Sequence, residues 1–383
     1  MDQWKQDRLI DILDTLIDYR GKTPNKVERG IPLITAKIVK NGRIETPTEF
    51  LPAEEYRDWM VRGYPQVGDV VLTTEAPLGE VAQLKDDKIA LAQRIVCLRG
   101  KEDALDNTYL KYFLMSNIGQ YRLKARETGT TVTGIKQSEL KEVLIDYPNY
   151  ELQQKIASIL SSLDSKIELN RRINDNLEQQ AQALFKAWFV DFEPFKGEKF
   201  VESQLGMIPE GWKVGTLSDL LDIRYGKDHK KLNDGNIPVY GSGGVMRLAD
   251  GILYNGESVL IPRKGTLNNV LYVNCPFWTV DTMFYSIEKV PNVAKYCHLL
   301  LSKLDLASMN SGSAVPSMTT DILNKIQVIV ANQDVFRSFN ECISSLYLKA
   351  KINLDENKQL SETRDLLLPK LMSGGLIIKD LHS

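Results

Sequence analysis

An internal repeat restricts the fold of this chain more than any other feature of its sequence. Residues 128–132 (TGTTV) resemble residues 311–315 (SGSAV), which stand 183 positions further along the chain. The same offset aligns Ser-Ser-Leu at 161–163 with Ser-Ser-Leu at 344–346. The chain is therefore expected to contain two copies of one unit, each a globular part followed by a helix. Fused copies usually arrange themselves about a pseudo-two-fold axis.

Each copy ends in a segment with the 3-4 spacing of a coiled-coil seam. The seam positions of the first copy are Leu160, Leu163, Ile167, Asn170, Asn174, Leu177, Ala181, Leu184 and Trp188. Those of the second copy are Ile343, Leu346, Ala350, Asn353, Asn357, Leu360, Arg364 and Leu367. The first seam predicts a helix over about 150–190. Proline cannot continue a helix easily, so Pro369 predicts that the second helix frays or ends near Leu368.

Both seams carry asparagine at the same two consecutive core positions. A buried asparagine costs stability unless a polar group meets it, and its usual benefit is to fix register and partner. If the helices pack antiparallel about a two-fold axis, equivalent residues near the middle of each helix meet. We therefore predict that Asn170 lies beside Asn357 and that Asn174 lies beside Asn353. The alternative is that these asparagines face solvent.

The globular parts combine short β-rich runs with amphipathic helices, which favours an α+β fold over a doubly wound sheet. Strands are predicted over 70–74, 95–99, 258–262, 271–274 and 283–288. Helices are predicted over 107–124 and 292–309, each introduced by an asparagine suited to capping. The expected organisation is a globular domain over 1–149, a helix over 150–195, a second globular domain over 196–331 and a second helix over 332–383.

Composition excludes several classes of protein. The formal net charge of −2 argues against a polycationic nucleic-acid coat but not against a local binding surface. No run of about 18 apolar residues predicts a membrane span, and the first residues show no secretion signal, so a cytoplasmic protein is expected. The four cysteines are far apart in the sequence and include no CxxC, and there are only three histidines. We therefore expect reduced, buried thiols and no zinc site.

Motifs that carry catalysis are absent from the sequence. Gly21-Lys22-Thr23 ends like a phosphate loop, but Leu16 occupies the position where the motif requires glycine. The glycine-rich run 241–244 lacks the acidic residue and following helix of a cofactor loop. Glu139 and Lys141 have the spacing of a metal-dependent nuclease, but they fall in a short helical turn in which their side chains diverge. The sequence therefore predicts a chain without its own catalytic site.

Basic and amide side chains cluster in loops, in a pattern that suits a nucleic acid. Lysine and arginine bind phosphates, and arginine, asparagine and glutamine can also read base edges. The candidate DNA-binding residues are Arg20, Lys22, Lys26, Arg122 and Arg126 in the first half, and Lys227, Lys230, Lys231, Arg263, Lys264 and Asn268 in the second. The alternative is that each cluster is a solvated face. The near-neutral net charge indicates that partner proteins supply part of the phosphate contacts.

Three segments resemble the specificity subunit of type I restriction–modification enzymes, and the resemblance covers essentially the whole chain. Residues 208–213 (IPEGWK) are similar to the entry of that family's second recognition domain. The run from Gln153 to Ile167 resembles its central conserved helix, and residues 367–374 (LLPKLMSG) resemble its C-terminal signature. The resemblance implies that each globular half is a target recognition domain that reads one part of a split sequence in double-stranded DNA.

The resemblance also implies the partners. The two helices would set the spacing between the recognition domains and dock two methyltransferase (modification) subunits, which restriction subunits with translocase activity join. S-adenosylmethionine, ATP and magnesium would bind to those partners, and no cofactor is expected on this chain. Two alternatives stay open: a non-catalytic coiled-coil scaffold with two protein-binding domains, and an enzyme whose site has no recognised motif.

Overall fold

The computed structural model describes residues 4–129, 133–309 and 317–376, which fold into two compact units. Unit 1 combines Met1–Asn170 with Asp355–Ser383, and unit 2 is Arg171–Leu354. Residues 130–132 and 311–315 of the repeated loop lie outside the described residues. Each unit therefore contains one globular part and a portion of both C-terminal helical segments, whereas the sequence predicted separate globular and helical domains.

The strands of unit 1 form mostly antiparallel sheets. They are β1 (Lys5–Arg8), β2 (Leu13–Asp18), β3 (Ile31–Ile34), β4 (Val39–Lys40), β5 (Arg43–Ile44), β6 (Phe50–Leu51), β7 (Val70–Thr74), β8 (Leu78–Gln83), β9 (Ala90–Leu91), β10 (Ile95–Gly100) and β11 (Leu144–Tyr147). The main sheet has the order β2-β10-β7-β8, a second has the order β6-β3-β9, and β1 pairs with β11 and β4 with β5. The short helices are α1 (Leu9–Ile12), α2 (Tyr56–Trp59), α3 (Asn107–Met115), α4 (Asn117–Lys124) and α5 (Gln137–Lys141).

A helix of 40 residues, α6 (Tyr150–Phe189), follows these elements. The strands of unit 2 are β12 (Phe200–Ser203), β13 (Gly206–Pro209), β14 (Lys213–Thr216), β15 (Leu221–Tyr225), β16 (Ile237–Gly241), β17 (Gly244–Ala249), β18 (Tyr254–Pro262), β19 (Leu271–Thr279), β20 (Met283–Glu288) and β21 (Gln327–Val330). Its helices are α7 (Leu217–Leu220), α8 (Ala294–Lys303) and α9 (Thr320–Asn324), and α10 (Gln333–Met372) ends the described chain. The main sheet has the order β15-β20-β18-β19-β16-β17, while β12 pairs with β13 and β14 with β21.

The structure confirms the α+β class and the repeat. The order β2-β10-β7-β8 of unit 1 corresponds to β15-β20-β18-β19 of unit 2, and the pair β1-β11 corresponds to β14-β21. The bounds of α5 and α9, of β11 and β21, and of α6 and α10 all differ by 183 positions at both ends. The offset read from the sequence is therefore the offset of whole structural elements.

Three predictions about helices were wrong in detail. The predicted helix over 107–124 is broken at Ser116, whose hydroxyl caps α4 by accepting from Gly119 N–H at 3.2 Å. Asp106 rather than Asn107 caps α3, and Glu288 rather than Asn292 meets the first N–H of α8, accepting from Ala294 at 2.6 Å. The last helix continues through Pro369 to Met372, because Leu368, Leu371 and Met372 are buried in the core of unit 1. That burial offsets the single backbone hydrogen bond that a proline so near the helix end removes.

Reduced thiols were expected, and Cys97 and Cys297 are buried without a disulfide. Cys342 was expected to be buried as well, but it is exposed. It lies on α10 one residue before Ile343, which is buried in the core of unit 2. Adjacent positions on a helix point in directions about 100° apart, so a residue beside a position at the margin of the buried face is free to face solvent.

Within each unit, α6 and α10 pack antiparallel. In unit 1, Asp164 meets Arg364 and Asn170 meets Asn357, so partner numbers fall as residue numbers rise. In unit 2, Asn174 meets Asn353 and Trp188 packs on Phe339 with 5.6 Å between ring centroids. The aromatic end of α6 belongs to the core of unit 2, and Ile156, Ala157 and Leu160 belong to the core of unit 1.

The asparagines form hydrogen bonds in the pairs that the heptad positions predict. Asn170 Nδ2 donates to Asn357 Oδ1 at 3.0 Å and to Glu356 Oε2 at 2.7 Å. Asn353 Nδ2 donates to Asn174 Oδ1 at 2.8 Å, and Asn174 Nδ2 donates to the carbonyl of Ala350. Asn170 is 1% and Asn353 0% exposed, so these two do not face solvent. Their role in fixing the helix register remains a prediction.

One carboxylate joins the globular part of unit 1 to both long helices. Asp164 on α6 accepts hydrogen bonds from Lys111 Nζ at 2.9 Å and Tyr112 Oη at 2.7 Å, both on α3. Arg364 Nη1 on α10 donates to the other carboxylate oxygen at 2.8 Å. Burial alone would raise the pKa of Asp164, but the charge of Lys111 and the hydrogen bonds from all three partners outweigh it and hold the pKa below its usual value. Asp164 is therefore ionised at neutral pH.

Unit 2 replaces this carboxylate with an aromatic ring. Tyr347 stands 183 positions after Asp164, and its hydroxyl lies 2.7 Å from Nδ1 of His298 on α8. Burial lowers the pKa of His298 to about 4, so the imidazole is neutral at pH 7. The buried ammonium of Lys295 finds its counter-charge on Glu257 of β18, at 3.1 Å. The two units thus use different side chains to join α3 or α8 to the long helices.

Replacing the carboxylate tests its role. We expect Asp164→Asn to lower the free energy of unfolding by about 3 kcal/mol, because the buried ammonium of Lys111 loses its counter-charge and Arg364 keeps only its pair with Asp365. A matched control is Glu151→Gln, which removes an exposed ion pair with Lys155 on the same helix and should leave the free energy of unfolding close to that of the wild type. Urea unfolding measures both.

The pH dependence of the same variant has a defined sign. Because folding lowers the pKa of Asp164, its contribution is present above the unfolded pKa of about 3.9 and is lost as pH falls through the folded value. The difference in unfolding free energy between wild type and Asp164→Asn should therefore shrink below about pH 4. A constant difference down to pH 2 would show that charge is not the cause.

The asparagine pair yields a second prediction. Asn170→Leu alone should destabilise the chain by about 1 kcal/mol, because the amide of Asn357 loses its partner. Asn170→Leu combined with Asn357→Leu should be at least as stable as wild type but less fixed in register. Hydrogen exchange of backbone amides near residue 170 measures the loss of register. Lower stability together with unchanged exchange in the double variant would contradict the proposed role.

Candidate nucleic-acid interface

Three loops of unit 2 meet around the turn at 280–282, between β19 and β20. The loop after β15 reaches it through Lys227 N–H, which donates to the carbonyl of Thr279 at 2.8 Å. The loop after β18 reaches it through Arg263 N–H, which donates to the carbonyl of Thr282 at 2.8 Å. The β16–β17 turn joins them because Asn269 Nδ2 donates to the carbonyl of Ser242 at 2.8 Å. All six candidate DNA-binding residues in this half lie in these loops, at positions 227, 230, 231, 263, 264 and 268.

The two units share a pair of main-chain contacts at equivalent places, a hydrogen bond and a β-bridge between two segments, which we call the backbone frame. Ile135 N–H donates to the carbonyl of Thr74 at 2.9 Å, as Met318 N–H donates to that of Arg263 at 2.8 Å in unit 2. Glu75 forms a β-bridge with Gly134, as Lys264 does with Ser317. Position for position, the frame carries threonine and glutamate in unit 1 but arginine and lysine in unit 2. Different side chains on one frame suit the reading of two different sequences.

A cleft of about 520 Å³ opens beside this frame in unit 1. Its lining residues are Leu16, Asp18, Arg20, Arg62, Lys136 and Gln137. Arg62 Nη1 donates to the carbonyl of Asp18 at 2.6 Å, which holds its guanidinium at the cleft. Two arginines and a lysine against one carboxylate give the cleft the sign of charge that a phosphate requires.

Five of the candidate residues have exposed side chains, with no ion pair or side-chain hydrogen bond to any part of the chain that the structure describes. They are Lys22, Lys227, Lys230, Lys231 and Lys264. Exposed lysines can bind phosphates without first breaking an intramolecular interaction. These five are the better candidates for DNA binding.

The other six are held by intramolecular contacts. Arg20 pairs with Asp18, Lys26 with Glu49, Arg122 with Asp146 and Arg126 with Glu139. Arg263 donates to the carbonyl of Asp281, and its guanidinium stacks over Tyr225, 5.5 Å from the ring centroid.

Both polar atoms of the Asn268 side-chain amide form hydrogen bonds within the chain. Its Nδ2 donates to Asp305 at 3.1 Å, and its Oδ1 accepts from Ala307 N–H at 2.9 Å. The hydrogen bond from Asn268 helps to hold the pKa of Asp305 below its usual value. A base contact by Asn268 would have to break these bonds, so the structure favours a role in shaping the loop.

Sequence reasoning missed Arg62, Lys136 and Gln137, which line the cleft of unit 1. No local pattern marks them, because Arg62 and Lys136 come from segments far apart in the chain. The equivalence of the repeats could have pointed to Lys136, since it directly follows Ile135, one of the matched positions.

The described residues include no group of three or more histidine, cysteine, aspartate or glutamate side chains that could hold a metal ion. None of the helices in this part of the chain combines the length and the apolar composition of a membrane span.

Comparison with known proteins identifies the family. The family model described as "Type I restriction modification DNA specificity domain" matches residues 1–179 and 209–334. The MjaIX type I restriction enzyme specificity subunit of Methanocaldococcus jannaschii is 30% identical, over 94% of this chain and 91% of its own length. The HindI specificity subunit of Haemophilus influenzae is 24% identical, over 75% and 81%. The chain therefore belongs to the type I restriction–modification DNA specificity family.

A solved structure shares the fold. The crystal structure of the S subunit of a type I restriction–modification system from M. genitalium matches with a TM-score of 0.55 and 20% identity. The match covers 97% of this chain and 96% of that one.

Replacing a lysine without intramolecular partners should have a different effect from replacing an arginine that forms an ion pair. Alanine at Lys227, Lys230 and Lys231 should leave thermal stability unchanged and weaken DNA binding, with the salt slope falling by about 0.9 for each phosphate that is no longer neutralised. Arg122→Ala should instead lower the unfolding free energy by about 2 kcal/mol, because it removes the hydrogen bonds to Asp146 and to the carbonyl of Leu144. Thermal unfolding and binding titrations at several salt concentrations separate the two.

Proposed function

We propose that this chain is the DNA specificity subunit of a type I restriction–modification complex, in which each unit reads one half of a bipartite target. The observation that carries the proposal is the backbone frame that both units share. In unit 1 residues 74–75 contact residues 134–135, and in unit 2 residues 263–264 contact residues 317–318. The solvent-accessible bridge position of the frame carries Glu75 in one unit and Lys264 in the other. Glutamate can accept from cytosine N4, whereas lysine donates to guanine O6 and N7, so we expect the two half-sites to differ.

The chain contributes recognition and not catalysis in this proposal. Methyl transfer, with its S-adenosylmethionine, belongs to two modification subunits, and ATP-dependent translocation belongs to restriction subunits. Family membership supports this division of labour. So does the sequence, which carries no nucleotide-binding or methyltransferase motif. The complex acts on DNA in the cytoplasm.

The principal test is binding of the chain, assembled with its modification subunits, to duplexes that carry the two half-sites. Methylome sequencing of cells that express the complex identifies those half-sites. Binding that requires both halves supports the proposal. Two rival functions predict other outcomes: a protein-binding scaffold would not select a DNA sequence, and an enzyme would transfer methyl groups without its partners.

The long helices set the unspecified spacer between the half-sites in this proposal. Four extra residues add about 6 Å of helix, which corresponds to nearly two base pairs. Because α6 and α10 pair antiparallel, both must be lengthened, after Gln179 and after Leu348, which the seam of unit 2 places opposite each other. We expect the methylated sites to gain one or two base pairs of spacer.

The matched control inserts the same four residues after Gly197, which lies beyond the end of α6 and has open space around its Cα. This variant should keep the original spacer. An unchanged spacer in the lengthened-helix variant, with methylation retained, would show that the helices do not set the spacing.

A further inference from the structure

The β16–β17 hairpin of unit 2 exposes apolar side chains on the edge strand of the main sheet. Val245 is 56% and Met246 57% exposed, and Leu248 on the same strand is exposed as well. A two-residue turn, Ser242-Gly243, joins the strands, and the pairing shifts register between Val239 and Tyr240, which leaves Met246 at a bulge. Edge strands normally carry charge to block association, so an apolar edge indicates a surface that something covers.

One face of this hairpin is held by a basic loop. Arg247 Nη2 donates to the carbonyl of Leu232 at 2.6 Å, and Trp278 Nε1 donates to that of Lys227 at 2.9 Å. Val239 and Ala249 pack against Leu232 and Trp278 in a small buried core. The hairpin is therefore rigidly supported from one side by the loop that carries Lys227, Lys230 and Lys231.

The tip of the hairpin touches a second basic loop. Asn269 donates to the carbonyl of Ser242, and a Cβ built on Gly265 would lie 2.7 Å from Ser242 Oγ. Lys264 projects beside this contact. The first loop also carries two carboxylates, Asp228, which accepts from Lys230 N–H at 3.0 Å, and Asp234, and the three lysines outnumber them. A protein partner would normally meet an apolar patch with a polar rim of mixed charge, whereas lysines on both neighbouring loops complement a polyanion.

DNA suits both the shape and the charge of this surface. The major groove admits a two-stranded β-ribbon, with basic side chains on the flanking phosphates, and the C5-methyl group of thymine is read by apolar contact. We propose that the β16–β17 hairpin enters the major groove and that Val245 and Met246 recognise a thymine methyl group in the half-site of unit 2. This inference rests on the proposed function. In unit 1 the strand equivalent to β16 is β3, which pairs with β6, and the β4–β5 hairpin lies between β3 and β6 in the sequence. The proposed recognition of thymine by a two-residue-turn hairpin therefore applies to unit 2.

Replacing thymine with uracil removes the C5-methyl group and leaves the base edges otherwise intact. The assembled complex is titrated with bipartite duplexes in which each thymine of both half-sites is replaced in turn. For the wild type, one replacement in a single half-site should weaken binding about fourfold, the effect of one buried methyl group. For Val245→Ala combined with Met246→Ala, the thymine duplex should bind more weakly and the same replacement should cost nothing further.

Met207→Ala is the matched control, because Met207 on β13 is 54% exposed in the same unit. It should retain the wild-type response to uracil. The inference is overturned if no uracil replacement weakens wild-type binding, if the half-sites contain no thymine, or if the double variant keeps the full uracil response. It is also overturned in favour of a protein interface if the double variant loses its modification subunits but keeps that response. Failure of the wild-type complex to select any bipartite duplex would refute the proposed function itself.

Discussion

The ionised carboxylate of Asp164 is the constraint on which the arrangement of unit 1 depends. A charge withdrawn from water is costly unless its partners are close and correctly oriented, so Lys111, Tyr112 and Arg364 can keep their geometry only if three helices keep theirs. Because α3 shares a core with β7 and β10, the same contact orients the main sheet relative to the helix pair. The loops of the candidate interface in unit 1 follow directly from those strands, so a buried ion pair in the core helps to set where the candidate side chains stand.

Unit 2 reaches the same backbone arrangement with other chemistry. A tyrosine replaces the carboxylate, a neutral histidine meets its hydroxyl, and the lysine takes its counter-charge from a strand instead of a helix. The interface shows the same relation, since matched backbone bridges carry Glu75 in one unit and Lys264 in the other. The repeat therefore conserves hydrogen bonds between main-chain atoms, while side chains diverge both in the core and at the surface. Such divergence on a common frame is how one fold acquires two specificities.

The sequence predicted the elements whose signals are periodic and local. The strands Val70–Thr74 and Met283–Glu288 match their predicted bounds, and the first long helix ends one residue earlier than expected. Tertiary packing decided the rest: Leu371 and Met372 carry the last helix past Pro369, and the cap at Ser116 divides a helix that periodicity shows as continuous. Basic candidates could be found by composition, but Arg122 and Lys227 look alike until the structure shows that only one has a carboxylate partner. The cleft containing Arg62 and Lys136 depends on long-range folding and leaves no local pattern.

Unit 1 is built from two separate segments of the chain, and this affects the order in which the two units can fold. Unit 2 is one unbroken segment, so all of its buried surface is present once residue 354 has left the ribosome. Unit 1 is synthesised first, yet Leu368, Leu371 and Met372 complete its core and Arg364 neutralises its carboxylate. The core of the nascent N-terminal part, with Ile156 and Leu160, is therefore incompletely covered until residue 372 has been synthesised. Although domains generally fold in the order of their synthesis, this arrangement of segments predicts that unit 2 completes its core before unit 1 does.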